Sequence, residues 1–198
     1  MMRTLAAAVL LASLPADLPF QPWFTSRGVA VDIARQEKAP PWLRGTAELP
    51  APAEKVVQVL TEYRGYRELF APGVKKAQVL DGKEGNARLH FVWPYPFPLR
   101  NRDAVVSYHG QMQEGGRFLL SWKSDARPGD PHEGIRIERV MGETAVEPLG
   151  ADRCRVTYTY LGELGGEFPA WAKEKAWREE PVQYMRALRR RLGLPDPP

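Results

Sequence analysis

Two periods of apolar residues alternate along this chain and set out its elements. Gly28 to Ala34 and Arg44 to Leu49 alternate apolar and polar positions with the period of two that marks half-buried strands. Pro50-Ala51-Pro52 then opens a helix over Ala53 to Tyr63, where Val56, Val59, Leu60 and Tyr63 fall at i, i+3, i+4 and i+7. Past Pro72-Gly73 the period returns to two. Strands are predicted at Val74 to Leu80, Ala87 to Trp93, Asp103 to His109, Arg117 to Lys123, Gly134 to Val140, Thr144 to Glu147 and Cys154 to Leu161, separated by Gly, Asp or Pro turns. Phe168 to Leu192 reads as a helix, and Pro181, which lacks an N–H, is expected to kink it near its middle. Runs of strands with helices at the edges predict an α+β domain on an antiparallel sheet. With no repeat and no internal linker, the chain reads as one domain over residues 17–198.

Within single strands, Leu89/Phe91/Trp93, Phe118/Leu120/Trp122 and Val156/Tyr158/Tyr160 each share a face. The terminal helix carries a matching stripe of Trp171, Trp177, Val182, Met185, Leu188 and Leu192, and is expected to lie across the concave face of the sheet. Aromatic strand faces under a helix make either a filled core or the wall of a pocket, and spacing alone favours the filled core.

Composition narrows the class. Of 198 residues, 43% are hydrophobic and 26% charged, which excludes a disordered chain and a coiled-coil rod. Nineteen prolines alongside six Trp, seven Tyr and seven Phe are too many prolines for a helical bundle and too many aromatics for a linker. A net charge of +4 is a small bias toward anionic partners, and no basic-aromatic module for nucleic acid accompanies it. At the start, Met1-Met2-Arg3-Thr4, the apolar run Leu5 to Leu14 and the small residue Ala16 follow the order of a secretory signal. The expectation is a signal over 1–16 and an exported protein, periplasmic or secreted. Cys154 is the single cysteine, so no internal disulfide forms.

The order of short motifs carries a resemblance. Arg100-Asn101-Arg102-Asp103, after an aromatic-proline run, resembles the Arg-Asp segment of START domains, the steroidogenic-acute-regulatory-type lipid-transfer family. Gly165-Gly166-Glu167-Phe168-Pro169-Ala170-Trp171 resembles that family's Gly-x-x-Pro-x-Trp approach to its last helix. Gly134-Ile135-Arg136, Met141-Gly142-Glu143 and Val146-Glu147-Pro148-Leu149-Gly150 are similar to its late strands, and Gly28-Val29-Ala30-Val31 with Ala51-Pro52-Ala53-Glu54-Lys55-Val56 to its start. The likeness runs from about Trp23 to Leu192, departing at Ala172-Lys173, where many members carry a small apolar-Asn pair.

The resemblance implies a helix-grip fold, a curved antiparallel sheet wrapped around the C-terminal helix, with a tunnel for one sterol, phospholipid or similar lipid. The implied wall is Phe91, Trp93, Phe118, Leu120, Trp122, Val156, Tyr158, Tyr160, Trp171 and Met185. Trp93-Pro94-Tyr95-Pro96-Phe97-Pro98 falls where such domains place a loop at the mouth, so Tyr95 and Phe97 are expected to form a lip that meets a membrane. Arg102 and Asp103 are expected as polar anchors in a buried pair, with a structural clamp as the other reading. Arg186, Arg189, Arg190 and Arg191 suit either a solvated helix end or an anionic headgroup contact.

Catalytic signatures are sparse. His90, His109 and His132 sit on separate segments without metal-ligand spacing, and no phosphate loop or Gly-x-Ser-x-Gly elbow occurs, so neither metal nor cofactor is expected. The expectation is a monomeric carrier of a hydrophobic ligand with transient membrane contact. The alternative is a polyketide cyclase/aromatase-like enzyme on the same scaffold, with Asp103, His109 and Tyr158 as conceivable acid–base groups and a polar dyad inside the tunnel as its requirement.

Overall fold

The computed structural model describes residues 15, 17–83, 85–166, 168 and 170–198. The signal expected over 1–16 lies outside them apart from Pro15. The elements are β1 (Gln21–Ser26), β2 (Val29–Ala34), β3 (Trp42–Leu49), α1 (Ala53–Thr61), α2 (Tyr66–Leu69), β4 (Lys76–Lys83), β5 (Asn86–Trp93), β6 (Arg102–Met112), β7 (Phe118–Ser124), β8 (Ile135–Arg136), β9 (Val140–Pro148), β10 (Cys154–Gly162) and α3 (Ala170–Arg191).

Nine strands form one antiparallel path in the order β1-β2-β3-β10-β9-β7-β6-β5-β4, and β8 adds a short parallel pairing to β6. The curved sheet closes on α3, which packs against β2, β3, α1 and α2. This is the expected helix-grip arrangement.

Register brings the separate aromatic rows onto one inner face. Phe91 pairs with Ala104, Ala87 with Tyr108, Tyr108 with Trp122, Leu120 with Thr144, and Thr144 with Tyr158. Directly opposed residues point the same way, so each match extends the same surface. On α1 the predicted stripe is the buried one, with Val56 and Leu60 inside the core.

Two elements differ from their predicted form. Gly134 to Val140 is not one strand; only Ile135 and Arg136 pair, and β9 starts at Val140 and absorbs the predicted Thr144 to Glu147. β1 went unpredicted because Gln-Pro-Trp-Phe-Thr-Ser does not alternate, and its Pro22 is tolerated because β1 is an edge strand. Pro181 does not end α3, although it withholds the N–H that would bond the Trp177 carbonyl. Its ring fills the space above Gly45 of β3, where an added Cβ would lie 2.7 Å from the Pro181 Cβ.

The outer face carries the charge. Arg88 bonds Asp81 at 2.8 Å, Asp125 at 3.0 Å and Asp130 at 2.6 Å, and so ties the segment after β7 to the back of the sheet.

Candidate functional site

The inner face becomes a continuous aromatic band. Phe91 stacks on Trp93 (centroids 5.4 Å), Trp122 on Tyr158 (5.5 Å) and Tyr158 on Tyr160 (5.9 Å). From α3, Tyr184 lies against Tyr158 at 3.9 Å with the ring planes 15° apart. Glycines make room for these rings. A Cβ on Gly142, directly opposite Trp122, would stand 2.5 Å from Trp122 Cζ2, and one on Gly162 would collide with the Tyr160 ring.

The predicted wall residues divide by what they touch. Val156 and Met185 have no accessible surface and Leu120 has 1%, so these three are packed core rather than the lining of an open space. Phe91, Phe118, Trp122 and Tyr158 are buried in the same cluster, while Trp93 and Tyr160 keep accessible surface. The Trp171 side chain lies outside what the structure describes.

Tyr108, which the sequence reading did not single out, has Tyr63, Tyr66, Phe91 and Trp122 around it and still keeps accessible surface. Glu180 does the same deep between Tyr158 and α3. Tyr108, Tyr160 and Glu180 are thus half-buried in the region between α3 and the inner face of the sheet.

Its polar groups are few. Tyr158 Oη donates to Glu180 Oε1 at 2.6 Å, and the hydroxyls of Thr144 and Tyr184 share a hydrogen bond of 2.7 Å. Burial pushes the Glu180 carboxyl up, and the bond from Tyr158 offsets part of that shift. Burial likewise raises the phenols of Tyr108, Tyr158 and Tyr160, so all are neutral at ordinary pH. Tyr63 Oη and Trp177 Nε1 are buried without a hydrogen-bond partner among the described residues.

Arg102 and Asp103 do not pair with each other. As neighbours on β6 they face opposite sides of the sheet. Asp103, fully buried on the outer side, accepts from His90 Nε2 at 2.9 Å, from Arg136 Nη2 at 2.8 Å and Nε at 3.2 Å, and from the Glu133 amide at 3.2 Å. Burial raises its carboxyl, but the bonds from His90, Arg136 and Glu133 outweigh burial and hold it below the usual range. Arg102 turns inward and donates to the carbonyls of Leu164 (3.2 Å), Gly165 (3.2 Å) and Arg100. Its guanidinium also lies 4.9 Å from the Tyr95 ring centroid and 4.4 Å from that of Phe168. Arg102 thus clamps the segment leading into α3 to β6, the structural reading of that residue.

The lip residues separate in the same way. Tyr95 folds back edge-on to Phe168 at 5.3 Å, whereas Phe97 is 96% exposed. The arginines at the end of α3 are engaged within the chain: Arg186 with Asp196, Arg189 with the Arg27 carbonyl, Arg190 with the Leu69 and Ala71 carbonyls, and Arg191 with Glu62. His109 sits against Asn86 and His132 is largely exposed. Among the described residues no group of His, Cys, Asp or Glu is arranged to hold a metal ion, and no helix is long and apolar enough to cross a membrane.

Comparison with known proteins agrees with this architecture. StAR-related lipid transfer protein 8 from human and from mouse is 29% identical over 133 residues, which is 66% of this chain but 13% of that protein's length. The crystal structure of a STAR-related lipid transfer protein from Xanthomonas axonopodis superposes with a TM-score of 0.74 at 26% identity, covering 88% of this chain and 98% of that one. Human StAR-related lipid transfer protein 5 shares the fold, with a TM-score of 0.73 at 15% identity over 86% of this chain and 85% of that one. The START domain profile matches residues 16–196. With the strand order and α3 already in place, the chain belongs to the START domain family.

Proposed function

We propose that this chain binds a single apolar ligand between α3 and the inner face of the sheet, and carries or sequesters it between membranes. The observation behind this reading is the accessible surface that Tyr108, Tyr160 and Glu180 keep deep inside the molecule. Lipid transfer in the names of its relatives supports the same ligand class. The driving force is transfer of hydrocarbon out of water, about 25 cal/mol per Å² of apolar surface buried. The sterol or phospholipid class, the monomeric state, export and membrane contact through exposed Phe97 all belong to the proposal. Native mass spectrometry of the purified protein tests it: a complex with one lipid is expected, and a protein that stays empty after incubation with a lipid extract refutes it.

An enzyme on the same scaffold is a second reading, and the Tyr158–Glu180 dyad is the feature that favours it. It requires the released ligand to differ chemically from the ligand loaded, which the same mass spectrometry detects.

A further inference from the structure

Glu180 stands where an apolar chamber has least use for an acid. It lies on α3 four residues before Tyr184, so the two share the face turned toward the sheet. Its single hydrogen bond among the described residues comes from Tyr158 Oη. The same residues place no Lys, Arg or His in hydrogen-bond or ion-pair contact with it. Arg102, the other inward-facing charge, has its guanidinium bonded to three carbonyls instead. An enclosed carboxyl without a counter-charge is costly as the anion. That cost falls when a cation arrives, and the half-buried Tyr160 ring beside Tyr158 attracts a cation as well. A carboxylate or phosphate at the same place would meet the opposite field.

We infer that the chamber selects amphiphiles with a protonated amine as polar head, seated against Glu180 beside Tyr160. This rests on the ligand-carrier reading and names the class of molecule carried. The amine N–H groups donate to the carboxylate oxygen that Tyr158 leaves free, forming a charge-assisted pair shielded from water.

The test uses octadecylamine, 1-octadecanol and octadecanoic acid, three heads on one chain, delivered from cyclodextrin and followed by intrinsic tryptophan fluorescence. Wild-type protein is expected to bind the amine roughly tenfold or more tighter than the alcohol, with the acid weakest. In E180Q, amine affinity should fall to the level the alcohol shows in the same variant, and an unchanged circular dichroism spectrum shows that the variant is folded. The ranking of the three heads on wild-type protein needs no variant to fold. Equal binding of amine and alcohol by wild type, or an amine preference that survives in E180Q, overturns the inference and leaves the carrier reading standing. Binding of none of the three overturns the inference, and the carrier reading then stands or falls on the mass spectrometry with a lipid extract.

Discussion

Replacing Asp103 with Asn separates a structural from a ligand-binding role for the most heavily bonded acid in the protein. Asp103 is fully buried and accepts hydrogen bonds from His90, Arg136 and the Glu133 amide. Asn keeps the volume but turns one acceptor oxygen into an NH2 donor that faces N–H groups, and it leaves Arg136 without its counter-charge. Removing one partner of a buried ion pair costs about 3–5 kcal/mol. Against a total stability of roughly 5–15 kcal/mol for a domain, that is a large share. For a chain of this size it lowers Tm by on the order of 10 °C. Urea unfolding followed by circular dichroism at neutral pH measures the loss.

The pH dependence has a defined sign. The folded carboxyl titrates below its unfolded value of about 3.9. Its contribution is therefore complete above that pH and is lost as pH falls through the folded value. Asn has no such group, so the acid limb of the stability curve should be flatter in D103N. Because Asp103 is on the outer side of the sheet, the folded fraction of D103N should still bind ligand as wild type does. A loss under about 1 kcal/mol would refute the buried-pair account, since that is the scale of an exposed pair. Normal stability with lost ligand binding would mean that Asp103 reaches the chamber after all.

Phe97→Ser should leave Tm unchanged, because the side chain is 96% exposed, while weakening liposome binding by roughly tenfold if it is the membrane contact; unchanged sedimentation with vesicles refutes that role. Gly142→Ala should destabilise the fold by about 2–4 kcal/mol in denaturant titration, because the new methyl meets the Trp122 indole and the Thr159 carbonyl oxygen. Thr144→Val keeps the shape but strips the Tyr184 hydroxyl of its partner, for a loss of about 1–2 kcal/mol in the same assay.

Much of the framework was legible because alternation on a strand is a local property. Leu89, Phe91 and Trp93 share a face whatever the neighbouring strand, and pairing merely joined that row to Ala104 and Val106. The same rule bears on Arg102 and Asp103: neighbours on a strand point apart, so their adjacency argued against a pair. The chamber's acid was not legible. Glu180 sits in a helix stretch with Lys173, Glu174, Lys175, Arg178 and Glu179, which reads as a solvated face until the sheet closes over one side of it. Tyr108 had a usable signal in its alternation with Ala104 and Val106, and Tyr63, on the predicted helical stripe, is buried although it stands in a turn just past the end of α1.

The distribution of charge between the two faces of the sheet explains why the net charge of +4 says little about the ligand. Arg88, Asp81, Asp125, Asp130, Asp103 and Arg136 are committed on the outer side, where they hold the segment between β7 and β9. The arginines at the end of α3 are bonded to carboxylates or carbonyls of the chain itself. Among the described residues, the inner side holds tyrosines, tryptophans, the clamped Arg102 guanidinium and the Glu180 carboxyl. Burying an acid with no counter-charge beside aromatic rings lowers the stability of the empty protein, and the bond from Tyr158 offsets only part of that cost. An acid placed this way supports the reading that Glu180 serves what binds between α3 and the sheet.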